Sequence, residues 1–155
     1  MGGALHHVGL VVADLERSLG FYRDVIGLAP LGRGMESDPR YAEMLGVPEA
    51  RFAWAELDLG DGHVLELLRF DEPAGRAAGG AVPAPPAALP GVAHFGIRVD
   101  DIEAVHAAVV KSGARAVSRP IELVEENEWL GSRVFYALDP DGHLVELVQA
   151  RPPVG

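Results

Sequence analysis

An α+β fold built from two β-α-β-β-β modules is what this sequence predicts, and three observations carry that expectation. The chain repeats itself: Asp61-Gly62-His63-Val64-Leu65-Glu66-Leu67-Leu68 returns as Asp141-Gly142-His143-Leu144-Val145-Glu146-Leu147-Val148. Likewise His7-Val8-Gly9-Leu10-Val11-Val12-Ala13-Asp14-Leu15 returns as His94-Phe95-Gly96-Ile97-Arg98-Val99-Asp100-Asp101-Ile102. After each opening segment the apolar residues take up helical spacing. Finally, Gly60-Asp61-Gly62 and Asp139-Pro140-Asp141-Gly142 stand between apolar runs as hairpin turns. A single domain, 1–155, is expected, made of module 5–70 and module 92–150. The Pro-, Ala- and Gly-rich stretch 72–91 reads as the linker between them. One module alone has little core, so the two are expected to pack together.

The elements follow in order. Residues 5–12, rich in Val and Leu, suit a strand. Asp14 caps a helix in which Leu15, Leu19, Tyr22 and Ile26 form one apolar stripe. Gly27 ends it in a left-handed turn. Residues 28–50 carry Gly, Pro and charges and read as irregular. Arg51–Leu59 and His63–Phe70 read as a hairpin. In the second module, 92–99 is a strand and Asp100 with Glu103 forms a capping box. Ile102, Val105 and Val109 give the helix its stripe, and Gly113 closes it. Residues 114–118 suit a short strand, and Ile121–Leu130 a loop or ragged strand. Arg133–Leu138 and His143–Gln149 form the last hairpin.

Composition narrows the function. The sequence holds no cysteine, which excludes disulfides, thiolate zinc sites and cysteine nucleophiles. A formal charge of −10 argues against a basic face for nucleic acid or anionic membrane; an acidic surface could attract a cationic ligand, against the plainer reading of simple solubility, and a small-molecule substrate is the expected partner. No apolar run reaches the roughly 20 residues of a membrane helix. The start lacks a basic stretch followed by an apolar one, so a cytoplasmic location is expected.

Each module opens with a His and closes with a Glu in the middle of an apolar strand. An unpaired carboxylate there is costly to bury. Side chains alternate faces along a strand. Glu66 therefore shares a face with Val64 and Leu68, opposite His63, and Glu146 shares one with Leu144 and Val148, opposite His143. His63 and His143 are accordingly expected near the turns and outside the centre that Glu66 and Glu146 serve. On the opening strands His7, Gly9 and Val11 share a face, as do His94, Gly96 and Arg98. Two imidazoles and two carboxylates at equivalent places suit one divalent metal ion: zinc, nickel, iron(II), manganese or cobalt. A nitrogen-and-oxygen set with open positions is typical of catalytic metal sites. Such an ion polarises a substrate oxygen, and a nearby Glu removes a proton from the adjacent carbon.

These segments, with Phe21-Tyr22-Arg23-Asp24-Val25-Ile26-Gly27-Leu28, resemble the vicinal oxygen chelate superfamily. That group includes glyoxalases, methylmalonyl-CoA epimerases, fosfomycin-modifying enzymes, extradiol dioxygenases and bleomycin-resistance proteins. The resemblance runs from about His6 to Gln149. It implies paired β-α-β-β-β modules whose curved mixed sheets form a glyoxalase-like cup. It implies metal ligands at His7, Glu66, His94 and Glu146, with Glu146 as base and Glu66 as its counterpart. It further implies a homodimer and a lyase- or isomerase-type reaction. The alternatives are a metal-free antibiotic-binding protein and an iron(II) dioxygenase. Against the latter, extradiol dioxygenases use two His and one Glu in a longer chain. No segment matches the glutathione-recognising parts of glyoxalases.

Arg98, on the predicted metal face, is a candidate for pairing with a substrate carboxylate or phosphate. Trp54 is a candidate for lining the pocket, with Phe52 on the same face, against the alternative of core packing. Trp129 reads as part of a surface loop, and His106 as structural or exposed. The stretch Met35–Leu45 is a place where specificity can reside.

Overall fold

Residues 2–72, 90–124 and 129–151 are described by the computed structural model. The chain divides into two compact units, Met1–Ala81 and Val82–Gly155. Their boundary lies within the expected linker, of which 73–89 falls outside the described residues. No helix among the described residues is long and apolar enough to cross a membrane.

The first unit holds a four-stranded sheet in the order β1-β4-β3-β2, built from β1 (His7–Val11), β2 (Pro30–Glu36), β3 (Arg51–Gly60) and β4 (His63–Glu72). Strand β1 runs parallel to β4, while β2–β3 and β3–β4 are antiparallel. Helix α1 (Leu15–Leu19) starts at Asp14, whose carboxylate accepts the Arg17 amide at 3.0 Å. A cap of this kind contributes about 1 kcal/mol. The helix then widens into a π-helical turn over Gly20–Val25, and Gly27 takes a φ of 96°, as the sequence predicted. Leu15, Leu19 and Tyr22 are buried, as are Leu10, Ala55, Leu57, Leu65 and Leu67, with α1 packed on β3 and β4. Each large side chain buried in this way contributes roughly 1.5–3 kcal/mol. The alternation of β4 thus sends Leu65 and Leu67 to the core and Glu66 to the other face.

Residues 28–50 correct the expectation of irregular chain. They contain β2 and a second helix, α2 (Pro39–Leu45). Gly and Pro made β2 illegible as a strand, yet the glycines are what admit it. A Cβ at Gly34 would stand 2.8 Å from the Trp54 indole, so the ring lies directly across the strand. Helix α2 has a complete set of stop and start signals: Asp38 accepts the Arg40 amide, Pro39 opens the first turn, and Gly46 closes the last at φ 66°.

The second unit repeats the plan with β5 (His94–Arg98), α3 (Ile102–Ser112), β6 (Arg115–Ala116), β7 (Ile121–Glu122), β8 (Arg133–Leu138) and β9 (Leu144–Gln149). The strand order is β5-β9-β8-β6, with β7 also paired to β8. Strand β5 lies parallel to β9, as β1 does to β4. The helix cap is Asp101, which accepts the Ala104 amide at 3.0 Å, not the Asp100 expected from the sequence. Either Asp precedes the stripe, and the cap falls to the one that Asp14 matches in the repeat. Phe135, Ala137, Val145 and Leu147 are buried, with α3 packed on β8 and β9. His106 is structural, its ring edge-on to Phe135 at 5.0 Å. Ile121–Leu130 holds only the two residues of β7 in strand; 125–128 lie outside the described residues.

Candidate metal centre

Register places the candidate ligands. In the first unit Gly9 pairs with Glu66 and His7 with Val64, so imidazole and carboxylate leave the sheet on one face. His7 Nε2 stands 3.9 Å from a Glu66 carboxylate oxygen. In the second unit Gly96 pairs with Glu146 and His94 with Leu144. There His94 Nε2 stands 3.5 Å from a Glu146 carboxylate oxygen. The two glycines have matching surroundings. A Cβ at Gly9 would lie 3.7 Å from the Glu66 carboxylate, and one at Gly96 would lie 3.8 Å from that of Glu146. Each carboxylate thus lies over the glycine of the neighbouring strand, at a distance that would be ordinary contact for a Cβ.

Within each unit the imidazole and the carboxylate are spaced like two donors to one cation. At 3.9 Å His7 and Glu66 are beyond hydrogen-bond reach. With bonds of about 2.1 Å, two ligands of one ion stand about 3.4 Å apart at the tetrahedral angle. The second pair meets that spacing, and the first meets it after a small side-chain rotation. His7 has its second nitrogen occupied, with Nδ1 2.9 Å from His6 Nδ1, which leaves Nε2 toward Glu66. Fixing one ring nitrogen to orient the other is a recurrent support for metal-binding histidines. Each unit by itself supplies two donors. No group of three or more His, Asp or Glu forms a metal cluster among the described residues.

The third strand of each sheet brings a residue that sequence reasoning missed. Glu56 on β3 pairs with Glu66, and Tyr136 on β8 pairs with Glu146. The Tyr136 hydroxyl is 3.4 Å from His94 Nε2. Burial and the neighbouring Glu146 charge hold its phenol above the ordinary value, so it stays protonated at neutral pH. A count from the hairpin turns was the available signal. In the first hairpin it fails by one residue, because the register shifts between Asp58 and Gly60.

The remaining candidates separate. Arg98 is exposed on the face of His94 and Gly96, paired with Val148. Trp54 is half-buried and borders a cavity of about 220 Å³ in the first unit, with Phe52 buried behind it. His63 and His143 sit at the hairpin turns, as expected. His143 bonds Asp139 at 2.9 Å, and this contact holds its imidazole above the ordinary value. His63 Nδ1 is buried without a hydrogen-bond partner among the described residues. Trp129 is exposed.

Comparison with known proteins places this geometry. The family model described as Glyoxalase/Bleomycin resistance protein/Dioxygenase superfamily matches residues 4–147. The uncharacterized protein YwbC of Bacillus subtilis (strain 168) is 27% identical over 155 residues, covering 96% of this chain and 99% of that protein. The crystal structure of a glyoxalase family protein from Bacillus cereus superposes with a TM-score of 0.77 at 24% identity, covering 96% of this chain and 94% of the other. The trypanothione-dependent glyoxalase I of Leishmania major gives a TM-score of 0.61 at 21% identity, covering 96% and 87%. Likeness at these identities is likeness of fold.

Proposed function

From the premise that this chain belongs to the glyoxalase/bleomycin resistance protein/dioxygenase superfamily, we propose that it is a small metal-dependent enzyme of the vicinal oxygen chelate type. It binds a substrate through oxygen atoms on a divalent ion and catalyses proton transfer, isomerisation or a lyase step. His7, Glu66, His94 and Glu146 hold the ion, which is zinc, nickel, iron, manganese or cobalt. The observation that carries this reading is the twofold recurrence of one arrangement. In each unit an imidazole Nε2 and a carboxylate oxygen stand 3.5–3.9 Å apart beside a glycine. A solvated surface Glu needs no histidine beside it, still less the same one in both units.

The bound ion would supply Lewis acidity at a substrate oxygen. The chain's residues do the rest. Glu146 takes the proton from the carbon next to that oxygen, and returns it to the neighbouring carbon in an isomerisation. Tyr136, protonated and across the strand from Glu146, keeps its hydroxyl 3.4 Å from His94 Nε2 and steadies that imidazole. Glu66 is the counterpart acid–base group. Arg98, on the exposed face beside His94, is a substrate contact. Such a protein works as a cytoplasmic homodimer, which sedimentation and cell fractionation test.

Metal analysis after purification without added metal or chelator tests the central claim. Stoichiometric metal, lost on chelation and regained on reconstitution together with turnover, is the expected result. Metal-free protein that resists reconstitution would leave the antibiotic-binding reading in its place.

A further inference from the structure

The cavity of the first unit is lined by Glu36, Glu56 and Glu66 and walled by Tyr41, Phe52 and Trp54. We propose that it binds the organic cation of the substrate, an ammonium or guanidinium group attached to a flat apolar body. This inference rests on the reading that the Glu66 face receives substrate, and it names the class of substrate.

Three observations lead there. First, Glu56 and Glu66 stand directly opposite each other on adjacent strands. Like charges so placed oppose folding unless a cation lies over them. Neither Arg nor Lys lines the cavity among the described residues, and the His7 imidazole facing Glu66 stands 3.9 Å away, beyond hydrogen-bond reach. Second, the cross-strand row is Gly32–Glu56–Glu66–Gly9, with a glycine at either end. The Trp54 indole lies over Gly32 and the Glu66 carboxylate over Gly9, so ring and carboxylates line the cavity together. Third, the walls are aromatic and fixed. The Trp54 indole lies against Gly34, where no side chain fits, and Tyr41 on α2 meets Phe52 edge-on at 5.4 Å. Aromatic faces attract organic cations at close range.

The same features choose against a second metal ion. The three carboxylates form no metal-sized cluster among the described residues. Of the aromatic walls, Phe52 and Trp54 offer no oxygen to replace an ion's water shell. An organic cation needs neither. At about 220 Å³ the cavity is also below the roughly 300–1,000 Å³ typical of sites for drug-sized ligands. It therefore takes one cationic head group rather than an entire antibiotic.

The test uses full-length protein carrying Trp129→Phe, so that Trp54 alone reports by fluorescence, after removal of metal with a chelator. The probes are benzyltrimethylammonium, neutral benzyl alcohol and anionic benzoate. The expected result is a Trp54 response to the cation, at least about tenfold tighter than to benzyl alcohol, with none to benzoate. Glu56→Gln weakens the cation at least about tenfold, and Glu36→Gln, further from the paired row, weakens it less. Equal affinity for benzyl alcohol, or a cation affinity unchanged in both variants, overturns the proposal. Metal stoichiometry is measured on separate samples. Cation binding without metal uptake sinks the metal reading alone, and metal uptake without cation selectivity sinks this inference alone.

Discussion

The two modules carry the same imidazole–carboxylate pair on the same pair of parallel strands, yet the third strand of each gives that pair a different neighbour. Beside Glu146 stands Tyr136, a phenol kept protonated and within 3.4 Å of His94. Beside Glu66 stands Glu56, a second carboxylate. One strand position further out, Trp54 faces Leu68 in the first module where Val134 faces Val148 in the second. A neutral phenol adds no charge beside the carboxylate and meets the imidazole of the pair. A second carboxylate directly across the sheet adds a like charge, which a cation would offset. On the proposed reading the duplicated frame would supply metal donors twice, while its divergence would assign proton chemistry to the second module and ligand recognition to the first.

The largest expected effect tests that division directly. Glu146→Gln should lower kcat by about 10²–10⁴-fold with little change in KM, in steady-state assays on substrates bearing oxygens on adjacent carbons. Unchanged turnover would remove Glu146 from the mechanism. Metal content sharpens the symmetry of the frame. Loss of a contact that merely supports a ligand costs about 10–100-fold in affinity. His7→Ala and His94→Ala should each cost at least that much in metal titrations, whereas His63→Ala should leave metal content intact. Retention of full affinity in His7→Ala alone would mean that the second module holds the ion without the first.

Next in size is the strand that only the first module has at full length. Gly34→Ala puts a methyl group 2.8 Å from the Trp54 indole and should destabilise the protein by about 1–3 kcal/mol in urea unfolding. Gly32→Ala, whose Cβ would meet the indole at an ordinary 3.5 Å, should change stability by no more than about 0.5 kcal/mol. Equal costs at the two positions would show that the indole is not seated on Gly34.

That strand also marks the limit of what was legible in the sequence. Elements with local signals came through: Asp14 and Gly27 around α1, the two hairpin turns, and the alternation that separates Glu66 from Leu65 and Leu67. Strand β2 has no local signal, since Pro30, Gly32 and Gly34 all oppose it, and its warrant is a ring on another strand. Glu56 escaped for a related reason. Pairing from Gly60 and His63 without the shift would set Leu57 opposite Glu66, and the one-residue irregularity at the turn substitutes a carboxylate. A strand pattern identifies which residues share a face, but the neighbour across the sheet is fixed by the turn.

The smallest expected effect concerns those turns. Asp139 is buried, accepts the amides of Asp141 and His143, and bonds the His143 ring at 2.9 Å. At the matching place in the first module stands Leu59, and the His63 ring has no carboxylate there to bond. His143 is held above its ordinary value by Asp139, so the folded state binds its proton more tightly than the unfolded chain does. The resulting stabilisation is fully present below the unfolded value of about 6.5. It declines as pH rises through the higher folded value, because the folded state then also loses the proton. The stability difference between the wild type and His143→Gln should therefore be largest in mildly acidic buffer and shrink toward pH 8, as read from urea midpoints. A difference that does not vary with pH would mean that Asp139 secures the turn through its two amide bonds alone, and that the ring adds only packing.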